Sequence, residues 1–307
     1  MSTYLVTQAT GDQSQWTIEF LLAAGAKVHA LVRDPTKLPD LLKRPGVTVF
    51  DRENNSPPAI FKAAKGCKGV FLNTFPSFVD VESEGQQART VLEECKKAGV
   101  ETVVASTSFY TGDRAKWAND ESYPLVGSYY ESKYKVEEAV RAANFHSYTI
   151  LRPAVIQHDY TVPHTTHNFP DLPKTGTLTH TLNDGVGLLH VDERDIGKYA
   201  AAALLDPIKF GGQEIEMANE LLTMEDVRDI MVKVTGKDVK VKKWTEEETN
   251  GALLSVFIAR FELWANIHPQ KSTAAATAEK FGIAFTSLEE YFEREKTKIL
   301  ASLPAGL

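Results

Sequence analysis

The fold is decided by residues 4–24, YLVTQATGDQSQWTIEFLLAA, where a short apolar run, a turn and an amphipathic stretch follow one another. Tyr4 to Thr7 predicts a first strand, because its residues are apolar or β-branched. Trp16 to Ala24 predicts a helix whose apolar residues share one face before Gly25 ends it. A strand joined to a helix by a tight turn is the repeating unit of a parallel α/β sheet.

The same alternation continues through the first half of the chain. Further strands are predicted at 28–32, 47–50, 70–72, 102–105 and 148–151, and helices at 59–64, 85–98 and 133–144. This rhythm predicts an α/β fold, a doubly wound parallel sheet with helices on both faces. Beyond residue 153 the alternation of strands and helices ends, and residues 157–184 are expected to be irregular. The last ninety or so residues are expected to be mostly helical.

These features predict two domains from one chain. Residues 1–152, completed by about 188–220, are expected to form a nucleotide-binding domain, and 153–187 with 221–307 a smaller substrate-binding lobe. The apolar segment Leu253 to Ile267 is shorter than the roughly 20 residues that cross a bilayer, so we expect a buried helix there and no membrane partner.

Composition excludes several classes of protein. The 307 residues are 43% hydrophobic and 24% charged, which is typical of a globular protein, and the net charge of -7 argues against direct contact with nucleic acid. Cys67 and Cys95 lack metal-binding or disulfide spacing, and residues 1–7 lack a signal peptide, so we expect a cytoplasmic protein.

The first turn lies where a dinucleotide-binding fold places a glycine-rich loop at a helix N-terminus. A full G-x-x-G-x-x-G pattern would need glycine at positions 8, 11 and 14, but only Gly11 is present, with Gln8 and Ser14 in the other two places. Arg33, at the end of strand two, can pair with the 2′-phosphate of NADP. It can equally be a solvated side chain beside a turn.

Other polar residues follow the strands at the edge where open α/β sheets bind ligands. Asp51 follows strand three and Asn73 follows strand four, although Asn73 and Thr74 can also serve only as turn caps. The residues predicted to contact NADP are Thr7, Ala9, Thr10, Gly11, Gln13, Ser14, Arg33, Asp51, Asn73, Thr74, Phe75, Lys133 and Pro153.

A pair of residues with catalytic spacing lies in the next helix. Tyr129 and Lys133 are four residues apart, which places a phenol and an ammonium on one helical face. A nearby cation favours the phenolate and makes tyrosine a better acid-base group. Y-x-x-x-K also arises by chance in a tyrosine-rich helix. Thr107 or Ser108, after strand five, offers a further hydroxyl at the same edge of the sheet.

Five histidines, His158, His164, His167, His180 and His190, lie in the irregular segment and just after it. They lack a helix-borne H-x-x-x-H pair and cysteine partners, so no metal site is predicted. A substrate-contacting histidine or a solvent-exposed one is the better interpretation.

Taken in order, several short motifs resemble the NmrA-like group of atypical short-chain dehydrogenases/reductases. They are the A-T-G turn, ALVRDP at 30–35, SK at 132–133, TILRP at 149–153 and HVDERDIG at 190–197. The resemblance covers roughly residues 3 to 300. It implies a Rossmann-type domain for NADP and a smaller C-terminal substrate domain, in members that are reductases or redox-sensing regulators without catalysis. It also implies that Thr107 or Ser108 holds the substrate carbonyl, because short-chain reductases use a hydroxyl at that position.

Three hypotheses follow. The first is an NADPH-dependent reductase of a small carbonyl, imine or enone, an oxidoreductase in which Tyr129 delivers the proton. The second is a regulator that binds the nucleotide without turnover and acts on a protein partner. The third is a non-redox enzyme on the same fold, because Gln8 and Ser14 could have cost the chain its dinucleotide.

Overall fold

The structure is a computed structural model that describes residues 2–51, 56–76, 80–118 and 123–307. Its contacts divide the chain into two compact units. The first consists of Met1–Asn119, Gly127–Pro153 and Glu193–Glu216, and the second of Asp120–Val126, Ala154–Asp192 and Met217–Leu307. The chain therefore leaves the first unit after Pro153 and returns to it at Glu193.

Twelve strands and fifteen α-helices are present in the described residues. The strands are β1 (Thr3–Val6), β2 (Lys27–Val32), β3 (Val47–Asp51), β4 (Gly69–Asn73), β5 (Thr102–Ser106), β6 (Ser147–Pro153), β7 (Val155–Ile156), β8 (Thr177–His180), β9 (Leu188–Val191), β10 (Gln213–Met217), β11 (Leu221–Leu222) and β12 (Lys240–Lys243). The helices are α1 (Asp12–Ala23), α2 (Pro57–Ala64), α3 (Val81–Lys97), α4 (Arg114–Trp117), α5 (Pro124–Ala142), α6 (Thr165–Asn168), α7 (Leu172–Thr175), α8 (Glu193–Leu205), α9 (Pro207–Phe210), α10 (Met224–Thr235), α11 (Glu246–Ala252), α12 (Phe257–Ala265), α13 (Ala274–Phe281), α14 (Leu288–Arg294) and α15 (Lys296–Ala301).

A seven-stranded sheet of order β10-β6-β5-β4-β1-β2-β3 organises the first unit. The pairs from β6 through β3 are parallel, and Leu5 of β1 is in register with His29 of β2 and Val70 of β4. The strand order reverses between β1 and β4, which is the switch point where open sheets of this kind bind ligands. The predicted α/β, doubly wound parallel sheet is confirmed.

The central strands are apolar throughout because helices cover both faces of the sheet. Val70 of β4 and Val103 of β5 are fully buried, as are Ile60 of α2 and Ala88 of α3, and they share one core with Leu92 at 2% exposure. Burial on two sides removes the polar alternation that marks a half-exposed strand. The sheet edge that carries the candidate site is thus rigidly supported.

The second unit is mostly helical, with a three-stranded sheet β11-β9-β7 and a two-stranded sheet β12-β8. The expectation that 157–184 is irregular was wrong in part, since α6, α7 and β8 lie within it and β8 pairs in parallel with β12. The residues expected to form one buried helix, Leu253 to Ile267, contain only α12. Among described residues, no helix combines the length and apolarity needed to cross a membrane.

Three helices begin four or more residues earlier than predicted. Helix α1 begins at Asp12 rather than Trp16, and α3 begins at Val81, where the Asp80 side chain accepts a hydrogen bond from the backbone of Glu82. Helix α5 begins at Pro124 rather than Lys133. Helices α1 and α3 begin with mostly polar turns, so apolar periodicity does not mark their starts, and α5 begins at a proline, which the first turn of a helix tolerates.

Gly197 of α8 allows that helix to lie directly on α1. A Cβ built there would lie 2.5 Å from Cβ of Trp16 and 2.8 Å from the backbone nitrogen of Thr17. We expect Gly197→Ala to lower the free energy of unfolding by about 1–3 kcal/mol, because backbone must move to admit the methyl group. Urea denaturation measures the change.

The matched control is Gly251→Ala in α11, where a Cβ meets no atom within 4 Å. This change is expected to raise the unfolding free energy by about 0.5–1 kcal/mol, because alanine loses less backbone entropy on folding. Equal unfolding free energies for the two variants would contradict the close packing of α1 and α8.

Candidate active site

The turn between β1 and α1 retains a glycine-like backbone conformation and a helix without a side-chain cap, despite its missing glycines. Gln8 has a φ of 47°, in the left-handed region that glycine favours, and its carbonyl accepts a 2.8 Å hydrogen bond from the Gly11 nitrogen. Gly11 then precedes α1 with no side-chain cap. The first-turn N–H groups of α1 are therefore not covered by a capping side chain, which suits an anion.

Ser14 lies inside the junction between strand and helix. Its side chain is fully buried, and its Oγ donates a 2.9 Å hydrogen bond to the carbonyl oxygen of Thr7. The hydroxyl is thus used within the protein. A small side chain with an internal partner lets α1 pack close to β1, as the third glycine of the pattern would.

Hydrogen bonds join the turn to its neighbouring strands. The Ala9 nitrogen donates to the Leu31 carbonyl at 3.2 Å, which fixes the turn beside the end of β2. On the other side, Thr7 Oγ1 accepts from the Asn73 nitrogen at 2.8 Å and lies 3.0 Å from the Asn73 carbonyl. The ends of β1, β2 and β4 therefore form one hydrogen-bonded edge.

Gln13, in the first turn of α1, contacts the end of β5. Ser106 Oγ donates a 2.7 Å hydrogen bond to Gln13 Oε1. Gln13 is one of the predicted nucleotide contacts, but its partner Ser106 could not be predicted, because nothing in the sequence spacing relates α1 to β5. The contact positions Gln13 at the same edge as Thr7 and Asn73.

The remaining predicted nucleotide contacts are mostly accessible. Arg33 directly follows β2, is exposed, and has no hydrogen bond or ion pair with any residue in the described part of the chain. Thr10 and Asp51 are also exposed, and Phe75 is 71% exposed just after β4. Thr74, in contrast, is buried.

Tyr129 and Lys133 lie together on α5, as their spacing predicts. The Lys133 Nζ is 5.6 Å from the centroid of the Tyr129 ring. This ammonium also donates a 2.7 Å hydrogen bond to Glu84 Oε1 of α3. Burial alone would lower the pKa of Lys133, but the neighbouring Glu84 carboxylate outweighs it and the net shift is upward. Lys133 is therefore a paired cation, and its partner Glu84 was not among the predicted site residues.

The two candidate substrate-binding hydroxyls differ in availability. Thr107 is buried, and its Oγ1 donates a 2.8 Å hydrogen bond to Glu137 Oε1. The Ser108 hydroxyl is half-buried and makes no hydrogen bond to a described residue. Of the two, Ser108 is the group free to contact a ligand.

A buried ion-pair network lies beneath Thr107. Arg152 of β6 donates to Glu137 Oε1 at 2.8 Å and Oε2 at 2.7 Å, to Glu216 at 3.0 Å, and also to Glu214. Arg141 pairs with Glu137 at 2.7 Å and Glu214 at 2.8 Å. Burial acts to lower the pKa of Arg152, whereas its hydrogen bonds and ion pairs raise it, and the net shift is upward.

This network also shapes the loop after β5. A Cβ on Gly112 would overlap the Arg152 guanidinium, so a larger residue there would displace that side chain from its ion pairs. The Tyr110 backbone has a φ of 66°, and its nitrogen lies 3.4 Å from Glu216 Oε2 as hydrogen-bond donor. Pro153, at the end of β6, accepts from the Phe109 nitrogen at 2.9 Å. The loop that carries Ser108 is thereby held to β6 and β10.

All five histidines singled out in the sequence lie in the second unit. The His158 and His164 rings stack with centroids 4.0 Å apart, and His190 Nε2 is 2.8 Å from the Tyr160 hydroxyl. Burial lowers the pKa of His190 to about 4, so it is neutral near pH 7. His167 is exposed.

Comparison with known proteins gives a consistent family. A family model described as NmrA-like matches residues 1–292. The NmrA-like family domain-containing oxidoreductase malD of Malbranchea aurantiaca is 24% identical over 263 residues, covering 79% of this chain and 76% of the relative.

Two solved structures illustrate the range of similar folds. NADPH-dependent quinone oxidoreductase QOR2 from Escherichia coli, complexed with NADPH, aligns with a TM-score of 0.74 at 19% identity, over 95% of this chain and 99% of the other. NmrA, a negative transcriptional regulator in complex with NADP, aligns with a TM-score of 0.73 at 19% identity, over 95% and 94%. The family model covers nearly the whole chain, and the seven-stranded sheet agrees with it. The chain therefore belongs to the NmrA-like family.

Proposed function

We propose that this protein binds NADPH at the carboxyl edge of the seven-stranded sheet and reduces a small carbonyl, imine or enone. The observation that carries the proposal is the turn at residues 7–14. Gln8 has a left-handed backbone conformation, as a glycine there would, and the Ser14 hydroxyl is directed into an internal hydrogen bond. Neither substitution removes the uncapped N-terminus of α1 that would face a pyrophosphate.

The residues present fit NADP(H). The first-turn N–H groups of α1 would hold the pyrophosphate, and the exposed Arg33 guanidinium would pair with the 2′-phosphate. Lys133 retains donors beyond the one directed at Glu84, since an ammonium has three. When bound, NADPH supplies the reducing equivalents as a hydride.

The protein's own groups would then orient and protonate the substrate. Ser108 would donate a hydrogen bond to the substrate oxygen or nitrogen, because its hydroxyl has no described partner. Tyr129 would deliver a proton to the same atom. The α5 helix places the Tyr129 ring 5.6 Å from the Nζ of the buried Lys133, so the proton donor and the cation face the same site.

Nucleotide preference tests the cofactor assignment. We expect NADPH to bind at least about tenfold more tightly than NADH, and Arg33→Ala to remove this preference, because a charge-assisted hydrogen bond contributes about 1.5–3 kcal/mol. Quenching of intrinsic fluorescence during separate titrations measures both affinities.

Lys37→Ala is the matched control, since Lys37 belongs to the same loop but pairs with Asp34 at 3.8 Å. It is expected to keep the preference for NADPH. Equal affinities of the unmodified protein for the two nucleotides would contradict the assignment of Arg33.

A regulator that binds nucleotide without turnover is the second candidate. It is favoured by the pairing of Lys133 with Glu84, which offsets the cation beside Tyr129, and by the use of the Thr107 hydroxyl within the network. Saturable NADPH binding with no consumption across a panel of aldehydes, quinones and imines would support it, and a protein partner would then be required.

Both proposals include a reducing, cytoplasmic location for the protein, because Cys67 and Cys95 are both free and buried.

A further inference from the structure

Three hydrogen-bond donors converge on the carboxylate of Glu84. Lys133 Nζ and Thr74 Oγ1 each donate to Oε1 at 2.7 Å, and Ser132 Oγ donates to Oε2 at 2.7 Å. Glu84 lies on α3, Thr74 follows β4, and the other two donors belong to α5. One carboxylate therefore joins the sheet edge to the helix that carries the candidate acid-base pair.

Both charges of this ion pair are removed from solvent. The Glu84 side chain is fully buried and the Lys133 side chain is 6% exposed. A buried lysine without a counter-ion tends to lose its proton, and its flexible side chain has no fixed position. The hydroxyls of Thr74 and Ser132 satisfy further lone pairs of the carboxylate and fix its position. Glu84 can then fix the position of the Lys133 ammonium.

Backbone packing is adapted to bring Glu84 this close. The next residue, Gly85, faces α5 so closely that a Cβ there would lie 2.9 Å from Cβ of Lys135. The close approach of α3 and α5 lets a side chain of ordinary length reach Lys133. A second ion pair, between Glu82 and Lys135, joins the same two helices at their exposed side, where Glu82 is 62% exposed.

We propose that Glu84 is a positioning residue that keeps Lys133 charged and holds its ammonium beside Thr74, at the edge of the sheet where the nucleotide binds. The expected effect of Glu84 on nucleotide binding rests on the proposed function, in which Lys133 contacts the nucleotide. Glu84 itself is a positioning group, because it acts through Lys133. Its effect must then appear as a dependence of binding on pH.

The first test compares NADPH affinity at about pH 7 and about pH 9.5 for the unmodified protein, Glu84→Gln and Glu82→Gln. The unmodified protein and Glu82→Gln are expected to bind with the same affinity at both pH values. Glu84→Gln is expected to lose affinity by about tenfold or more at the higher pH, because an unpaired buried lysine deprotonates there. Equal pH profiles for all three proteins would overturn the proposal.

A second measurement needs no nucleotide. In protein labelled with 13C-lysine, the Cε signal of Lys133, assigned by its loss in Lys133→Arg, reports protonation directly. We expect this group to titrate at lower pH in Glu84→Gln than in the unmodified protein, by at least about one pH unit. An unchanged titration would overturn the inference, whereas failure of every protein to bind NADPH would overturn only the proposed function.

Glu84→Asp covers the case in which the glutamine variant does not fold. It keeps the negative charge but shortens the side chain, so Lys133 is expected to titrate at a lower pH than in the unmodified protein. Thermal unfolding checks that each variant is folded. If Lys133 titrates at the same pH in the aspartate variant and in the unmodified protein, the length of the Glu84 side chain does not matter, which would contradict the proposal.

Discussion

Replacement of Tyr129 by phenylalanine is expected to lower kcat by about 10²- to 10⁴-fold, the usual contribution of a positioned acid-base group. The change removes one hydroxyl and leaves the ring that lies 5.6 Å from Lys133 Nζ. NADPH affinity is therefore expected to stay within about twofold of that of the unmodified protein, since phenylalanine keeps the packing. Single-turnover oxidation of NADPH with a carbonyl substrate measures the rate, and fluorescence titration measures the affinity.

Tyr134→Phe is the matched control on the same helix. The Tyr134 ring packs against Arg114 at 4.7 Å and Trp117 at 5.8 Å, and phenylalanine keeps both contacts. Its kcat is expected to remain that of the unmodified protein. Full turnover in Tyr129→Phe would assign the proton to another donor, and absence of turnover in the unmodified protein would favour the regulator.

Replacement of Arg152 by methionine is expected to lower the free energy of unfolding by about 3–5 kcal/mol, because the loss of one partner leaves charge buried without compensation. Arg152 is 7% exposed in its side chain and serves three carboxylates, of which Glu137 is fully buried. Methionine fills similar space, so the lost charge accounts for most of the effect. Urea denaturation followed by circular dichroism measures the change.

Arg141→Met separates burial from charge in the same network. Arg141 shares two of the carboxylates but is 31% exposed, so water can replace its hydrogen bonds. We expect a loss of about 1 kcal/mol or less. Equal losses for the two variants would show that the network is no stronger at its buried end.

The fold could be predicted because the strands are buried on both sides. Runs such as Val103-Val104-Ala105 in β5 are continuously apolar, and only a sheet covered by helices on both faces requires this pattern. The starts of α3 and α5 could not be predicted in the same way. The first turn of α3 contains Glu82 and Glu84, and in α5 Gly127-Ser128 interrupts the apolar pattern after Leu125 and Val126.

The candidate site could be predicted in its positions but not in its partners. The structure brings the end of β1 beside those of β2 and β4, and it places Tyr129 beside Lys133. The pairing of Lys133 with Glu84 spans 49 residues of sequence and depends on how closely two helices pack. No local pattern marks Glu84, whose neighbours in the sequence are typical of a solvent-facing helix.

The hydrogen bond from Ser14 to Thr7 has a broader consequence for how such loops evolve. An absent side chain and a short hydroxyl with an internal acceptor are two routes to the same tight junction, and the second adds a polar tie that the first lacks. A glycine can then be replaced by serine while the N-terminus of the helix stays open to an anion. A tally of glycines is accordingly a poor measure of whether such a loop can still accept a nucleotide.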